Sequence, residues 1–143
     1  MVEDFFDEIL KNDVNGEFKI SAREYSPLNL AYIGDAVFEI FVRTMVLKNG
    51  NMPVNQLHKI SKTFVNAKAQ AEMFEKIKDK VTDEELAVLK RGRNAKSFTS
   101  AKNASITDYR HATGLEALFG YLYIKGDSKR LIEIFNMCIE KEI

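Results

Sequence analysis

The sequence is most constrained by an apolar segment, residues 28–47, in which the acid Asp35 lies between two small residues. Ser26 and Pro27 stand just before this segment. They favour a helix start, because a serine oxygen accepts a hydrogen bond from a free backbone N–H and a proline needs no amide partner in the first turn. No further proline occurs within the segment. We therefore expect one long helix that must accommodate an acid.

Helical periodicity decides which residues surround Asp35. At about 100° per residue, Glu39 and Arg43 share its face. The opposite, core-seeking face is formed by Leu30, Ile33, Val37, Phe41 and Thr44. Asp35 is therefore expected beside the core. A simpler alternative is a solvated face on which a Glu39–Arg43 pair contributes roughly 0.2–0.5 kcal/mol.

A second apolar segment, residues 112–124, repeats the pattern. Glu116 is its only acid, and Gly120 follows one helical turn later. An unpaired carboxylate in such a helix costs several kcal/mol unless it meets a cation, a metal ion or hydrogen-bond donors. If the two helices cross, Asp35 and Glu116 converge on one cation. The sequence thus indicates a metal site built from two helices.

Charge is balanced over the whole chain but unevenly distributed along it. The 21 basic and 21 acidic residues give a net charge of zero, so binding to nucleic acid would have to rest on a local basic region. No acid occurs from residue 86 to residue 107, and this span includes Arg91, Arg93, Asn94, Lys96 and Lys102. From residue 91 we expect a loop or a helix followed by a loop. It is either a solvated connection or a clamp in which guanidinium groups hold phosphate oxygens.

The remaining pattern predicts further helices. Apolar residues recur at intervals of three and four from residue 56 to residue 80, which predicts one long helix. Thr82 and Glu85 form a capping-box pattern that opens a short helix through about Lys90. A last helix is expected to end at about Lys141. It contains Cys138, the only cysteine, which is interpreted as inert.

Three motifs, in this order along the chain, resemble those of the ribonuclease III family. YIGDAVFE at 32–39 resembles the family signature, and GLEALFGYLYI at 114–124 resembles its second catalytic segment. Between them, KRGRNAKSFTSAKNASITDYRHATG at 90–114 is similar to the compact subgroup called Mini-ribonuclease III. The resemblance spans roughly residues 26–125. It implies a compact, all-α, single-domain endonuclease fold that acts as a homodimer.

The resemblance also implies roles for individual residues. Asp35 and Glu116 would be the catalytic carboxylates and would bind Mg²⁺. The implied RNA-binding residues are Arg91, Arg93, Asn94, Lys96 and Lys102. Other ribonuclease III domains carry two more acids, at positions held here by Ala31 and Thr113. Thr113 is therefore at most a hydrogen-bonding or water-mediated member of the site, and the number of bound metals stays open.

The activity implied by this resemblance is Mg²⁺-dependent hydrolysis of double-stranded RNA, which leaves 5′-phosphate and 3′-hydroxyl ends. The implied substrate is precursor ribosomal RNA of the large subunit (23S), with a ribosomal protein or a pre-ribosomal particle as a further partner. One alternative is a noncatalytic RNA-binding or ribosome-assembly module on the same scaffold. Another is a plain helical interaction protein, which would have no need of the acid-free span.

Size and composition fit a single domain. With 143 residues, 45% of them hydrophobic, the chain is expected to form one domain over 1–143. Residues 1–24 would be a divergent N-terminal extension, and about 26–125 would be the motif-bearing core. No apolar run is long enough to span a membrane, and a single cysteine suits a reducing compartment. We therefore expect a cytoplasmic protein without membrane contact.

Overall fold

A computed structural model describes residue 9, residues 16–96 and residues 105–140 of the chain. Within these ranges the protein is helical and has no strand, which confirms the expected all-α class. A short 3₁₀ helix, Ala22–Glu24, precedes the α-helices. These are α1 (Pro27–Leu47), α2 (Val54–Lys62), α3 (Ala67–Ile77), α4 (Asp83–Asn94), α5 (Ile106–Lys125) and α6 (Ser128–Ile139). No helix in these ranges is long and apolar enough to cross a membrane.

Helix α5 lies at the centre of the fold, packed against α1, α3 and α4. From residue 112 to residue 123, every residue except Glu116 is buried. A helix that is apolar on all sides is expected to be enclosed on all sides. Gly126 follows its last residue with a φ of 81°, a left-handed conformation that suits glycine. The second apolar segment is thus the core helix, and Glu116 is the exception within it.

Helix α1 begins as predicted, with the Ser26 side chain accepting a hydrogen bond from the backbone N–H of Asn29 at 3.2 Å. Its buried face differs from the predicted one. The buried residues are Leu30, Ala31, Gly34, Val37, Phe38, Val42 and Val46. Thr44 is exposed, whereas Phe38 and Val42 are fully enclosed. The face is rotated because α5 packs against the small residues of α1, which lie next to Asp35 rather than opposite it.

The single long helix predicted over 56–80 is wrong, because the chain divides it into α2 and α3. Asn66 lies at the break. Its side-chain amide donates to the carbonyl of Lys62 at 2.7 Å, and its side-chain oxygen accepts from the N–H of Ala69 at 2.9 Å. Asn66 therefore closes one helix and caps the next. The break covers 63–66, about one helical turn, so the apolar spacing continues across it and conceals it.

Helix α4 opens with the predicted capping box. The N–H of Glu85 donates to Thr82 Oγ1 at 3.1 Å, and the N–H of Thr82 donates to Glu85 Oε1 at 2.9 Å. The predicted end near Lys90 is wrong, since α4 continues to Asn94. Residues 91–94 thus form the last helical turn rather than a loop. Cationic side chains are favourable there because they face the negative end of the helix dipole.

Helix α6 packs against α3 and α5. Its buried residues are Leu131, Ile134, Phe135 and Cys138. Burial raises the pKa of the Cys138 thiol to about 12. The thiol therefore stays protonated at neutral pH, which agrees with its interpretation as inert. The helix ends at Ile139, near the predicted end.

Candidate active site

Two glycines allow α1 and α5 to touch backbone to backbone. A Cβ atom on Gly34 would lie 1.7 Å from the carbonyl oxygen of Glu116, and one on Gly120 would lie 1.9 Å from the carbonyl oxygen of Leu30. Both distances are far inside van der Waals contact, so only glycine permits this crossing at either position. The crossing brings Asp35, the residue after Gly34, next to Glu116.

The two predicted carboxylates meet at this crossing. Asp35 is exposed on α1, and Glu116 is partly buried on α5. Their side chains adjoin each other, close enough to hydrogen-bond when Glu116 is protonated. Asp35 therefore lies at the surface, not against the core as expected, while its partner comes from the core helix. This convergence is what the metal-site hypothesis requires.

The surroundings of Glu116 favour its neutral form. The pKa of Glu116 is raised from 4.5 to about 8, first by burial and then by the hydrogen bond and the negative charge of Asp35. Glu39 raises the same pKa through its charge, whereas the amide of Gln70 lowers it by favouring the carboxylate. Without a cation, the pair therefore holds a proton at neutral pH. A divalent cation can replace that proton, because it compensates both negative charges.

Within the described residues, a structural ion pair does not account for these acids. Among the residues that the structure describes, no cation forms an ion pair with Asp35 or Glu116. Arg43, one of the cations considered from the sequence, instead pairs with Glu39 at 2.8 Å. The predicted Glu39–Arg43 pair is thereby confirmed. Lys102, the other candidate partner, lies outside the described residues.

The donor set fits a hard cation that keeps most of its water. Ala31 is buried and offers no oxygen, and the Thr113 hydroxyl donates to the carbonyl of Tyr109 at 3.0 Å within α5. In the described part of the chain, no group of three or more His, Cys, Asp or Glu side chains could hold a metal. At this crossing, Asp35 and Glu116 are the described side chains that could bind a cation. Mg²⁺ is commonly bound by one or two carboxylates and several waters.

A second pair of glycines joins the basic turn of α4 to the core helix α5. A Cβ atom on Gly92 would lie 2.7 Å from the Cα of Gly114, and one on Gly114 would lie 2.6 Å from the carbonyl oxygen of Leu89. Helices α4 and α5 are therefore also in backbone contact. Gly114 precedes Glu116 by two residues, about 200° around the helix, so this contact lies on a different side of α5 from Glu116. The RGRN and TG motifs thus form one packing contact between α4 and α5.

The predicted RNA-binding residues differ in their exposure and in the contacts that they make. Arg91 is exposed, and its Nη2 makes a long hydrogen bond of 3.4 Å to a backbone carbonyl. Arg93 is partly buried, with its guanidinium 5.9 Å from the centre of the Phe74 ring and its Nε 3.2 Å from Asn94 Oδ1. Asn94 and Lys96 are exposed. Lys102 lies outside the described residues, so its predicted role is untested.

Two polar residues that are at least partly buried, His111 on α5 and Gln70 on α3, were not among the predicted site residues. His111 packs against Phe74 with ring centres 4.6 Å apart, and its Nδ1 lies 2.7 Å from the carbonyl of Thr107. These contacts support a structural role for the imidazole. Gln70 was missed, although it falls between Ala67 and Phe74 on the apolar stripe of the predicted helix. A polar residue on that stripe was the signal that could have identified it.

The raised pKa of Glu116 predicts how the stability of the metal-free protein varies with pH. The folded state keeps the proton to about pH 8, whereas the unfolded chain loses it near 4.5, so stability falls across that window as pH rises. Glu116→Gln removes this dependence. With a chelator present, we expect the variant to gain about 2 kcal/mol relative to the parent between pH 5 and pH 8.5, after allowance for residual solvent exposure. Urea unfolding at both pH values measures it, with Glu24→Gln, at an exposed acid, as control. Parallel pH profiles of parent and Glu116→Gln would contradict it.

Comparison with known proteins identifies close relatives. The Ribonuclease III domain family matches residues 28–127. Mini-ribonuclease 3 of Clostridium tetani is 52% identical over 122 residues, which cover 85% of this chain and 81% of that protein. Mini-ribonuclease 3 of Enterococcus faecalis is 46% identical over 124 residues, which cover 83% of this chain and 94% of that protein. The resemblance inferred from the three motifs is thereby confirmed.

A solved structure extends the comparison to the fold. The crystal structure of a Fusobacterium nucleatum protein superimposes with a TM-score of 0.76 at 33% sequence identity. The match covers 83% of this chain and 97% of that one. The helical arrangement that joins Asp35 to Glu116 therefore belongs to a fold found in an experimentally determined relative.

Proposed function

This chain belongs to the ribonuclease III family, in its Mini-ribonuclease III subgroup, and we propose that it is an Mg²⁺-dependent endoribonuclease that cuts double-stranded RNA. The observation that carries the proposal is the meeting of Asp35 and Glu116 at a glycine crossing inside the family-matched region. A purely structural pair of acids would be expected to have a cationic partner. Among the described residues neither acid has one.

The proposed substrate is precursor ribosomal RNA of the large subunit, processed in the cytoplasm in contact with a ribosomal protein or pre-ribosomal particle. In the proposed reaction, a water oxygen attacks phosphorus and the bond to the 3′ oxygen breaks. The phosphate stays on the 5′ end of one product, and the 3′ oxygen of the other takes up a proton. The support for this substrate class is family membership together with the acid-free basic span.

Different residues of the chain would bind the cation and the RNA. Asp35 and Glu116 would hold Mg²⁺, and Glu116 would release its proton to solvent as the site fills. Bound Mg²⁺ would polarise the phosphate and lower the pKa of the attacking water. The glycine crossing fixes the two carboxylates relative to each other because neither backbone can shift sideways. Arg91 and Lys96 would hold phosphates of the duplex on the α4 side.

The direct test is whether the purified protein cuts RNA. We expect a labelled duplex to give discrete shorter products with Mg²⁺ and none after chelation. End analysis should find 5′-phosphates and 3′-hydroxyls. Binding of the duplex without any cleavage would instead support the noncatalytic RNA-binding module.

We also propose a homodimer, because a duplex has two strands and each site would cut one. Phe38 and Val42, two large apolar residues of α1, are fully enclosed within the single chain and give no support to a dimer. A different surface supports the dimer. Tyr32 is 82% exposed, three residues before Asp35, and it lines an open groove together with the exposed Phe18 and Ile20.

The dimer proposal predicts a specific loss of association. We expect light scattering to give twice the chain mass at tens of micromolar, and Tyr32→Asp to give a monomer, because a charge placed on an apolar interface is unfavourable. Leu47→Asp is the matched control, since Leu47 is 57% exposed at the other end of α1. A monomeric parent, or a dimer unchanged by Tyr32→Asp, would count against this surface.

The basic residues predict a change in the salt dependence of RNA binding. Replacing Arg91, Arg93 and Lys96 by Ala should weaken binding to every duplex sequence and reduce the log–log salt slope by roughly two to three. The lower figure is expected if Arg93 stays packed on Phe74. Filter binding across a salt series measures the slope. The control replaces three other exposed cations, Lys19, Lys80 and Lys129. If both triple variants show the parental slope, the segment is only a solvated connection.

A further inference from the structure

Gln70 is a buried polar side chain that has no role in the reaction proposed above. It lies on α3, which packs against α5, and it is 4% exposed. Its Nε2 is buried and has no hydrogen-bond partner within the described residues. Buried amide donors are almost always paired in folded proteins. We therefore look for its acceptor among the polar groups that adjoin it.

The unpaired amide is directed at the candidate site. Gln70 is close enough to Glu116 to favour its ionised form, although the amide and the carboxylate are not in a fully formed hydrogen bond. The other buried unpaired atom in the described residues, Ser128 Oγ, lies on α6. Of the two, only Gln70 adjoins a candidate catalytic acid.

Glu116 has a polar neighbour on each side. Asp35 adjoins it from α1, and the amide of Gln70 adjoins it from α3. A carboxylate has two oxygens, so Glu116 can face Asp35 with one of them and accept from the amide with the other.

We propose that Gln70 is a positioning residue of the cation site, whose Nε2 donates to the ionised Glu116 carboxylate and fixes its orientation toward the metal. This inference rests on the proposed function. Gln70 would add a neutral hydrogen-bond donor to a site that otherwise consists of two acids. Partners of this kind orient metal ligands, and their loss typically weakens metal binding 10- to 100-fold.

The first experiment compares Gln70→Met with Gln56→Met. Methionine keeps a similar volume but has no donor, and Gln56 is the chain's other glutamine, exposed on α2. We expect calorimetry with Mg²⁺ alone to show about 10-fold weaker binding for Gln70→Met and no change for Gln56→Met. The Mg²⁺ concentration for half-maximal cleavage should rise by the same factor, while the rate at saturating Mg²⁺ is nearly restored. Unchanged Mg²⁺ binding by a folded Gln70→Met overturns the proposal.

A second measurement leaves Gln70 in place and so does not depend on the variant folding. Because the chain has two glutamines, ¹⁵N-glutamine labelling gives two side-chain amide signals. We expect Mg²⁺ to shift the Gln70 signal and slow its exchange with water, and to leave the Gln56 signal unchanged. If Mg²⁺ binds and supports cleavage but Gln70 does not respond, only this inference fails. If the parent neither binds Mg²⁺ nor cleaves, the proposed function fails with it.

Discussion

Asp35→Asn and Glu116→Gln are each expected to reduce cleavage of duplex RNA by on the order of 10³-fold or more, with fold and RNA binding nearly intact. Each replacement keeps the size of the side chain and removes the charge that a hard cation needs. Both acids lie at one helix crossing, so losing either leaves a single carboxylate. The proposed phosphate contacts come from different residues, Arg91, Arg93 and Lys96, so binding should persist.

The effect on stability distinguishes catalytic acids from structural ones. Removing one partner of a buried ion pair costs about 3–5 kcal/mol. Here the described residues provide no cationic partner, and the charge of Asp35 raises the cost of ionising Glu116. Neutralising one of them should therefore preserve or raise the melting temperature. The two interpretations predict changes of opposite sign.

The measurement combines single-turnover cleavage, duplex binding and thermal unfolding for the same variants. Glu39→Gln is the matched control, because it removes an acid from the same helix that already pairs with Arg43. We expect the control to cleave within about 3-fold of the parent, since a surface pair contributes little. If Asp35→Asn and Glu116→Gln melt much earlier and cleave at the parental rate, the metal-site assignment is wrong.

From the sequence, the meeting of Asp35 and Glu116 could be predicted more closely than the boundaries of the helices. An acid in an apolar helix is costly, so Asp35 and Glu116 were conspicuous before any contact was known. Helix boundaries depend on local hydrogen bonds that apolar spacing does not report. Asn66 divides α2 from α3 through two such bonds, and the turn preserves the spacing.

Features that depend on three-dimensional packing were beyond sequence reasoning. The extension of α4 to Asn94 depends on a glycine contact between Gly92 and Gly114 that no local pattern encodes. Likewise, the burial of Phe38 within one chain depends on where α5 crosses α1. The glycines can be read from the sequence, but the residues that they contact cannot. The contact between α1 and α5 supports a second prediction with a large expected effect.

Gly34→Ala is expected to destabilise the protein by at least about 3–5 kcal/mol, although alanine is the better helix former by about 1 kcal/mol. The added methyl group would lie 1.7 Å from the carbonyl oxygen of Glu116, so α1 and α5 must move apart. That movement separates Asp35 from Glu116 and opens the core around Phe38. Urea unfolding should show the loss, and any folded fraction should bind Mg²⁺ poorly.

Gly50→Ala is the control, because a Cβ there meets no atom within 4 Å, and its φ of 108° alone strains alanine. Such strain costs about 1–3 kcal/mol and leaves the active site untouched. Gly120→Ala should reproduce the Gly34→Ala result, since its methyl group would lie 1.9 Å from the carbonyl oxygen of Leu30. If Gly34→Ala instead gains the stability that helix propensity alone predicts, α1 and α5 are not in backbone contact. The two carboxylates would then have no structural reason to meet.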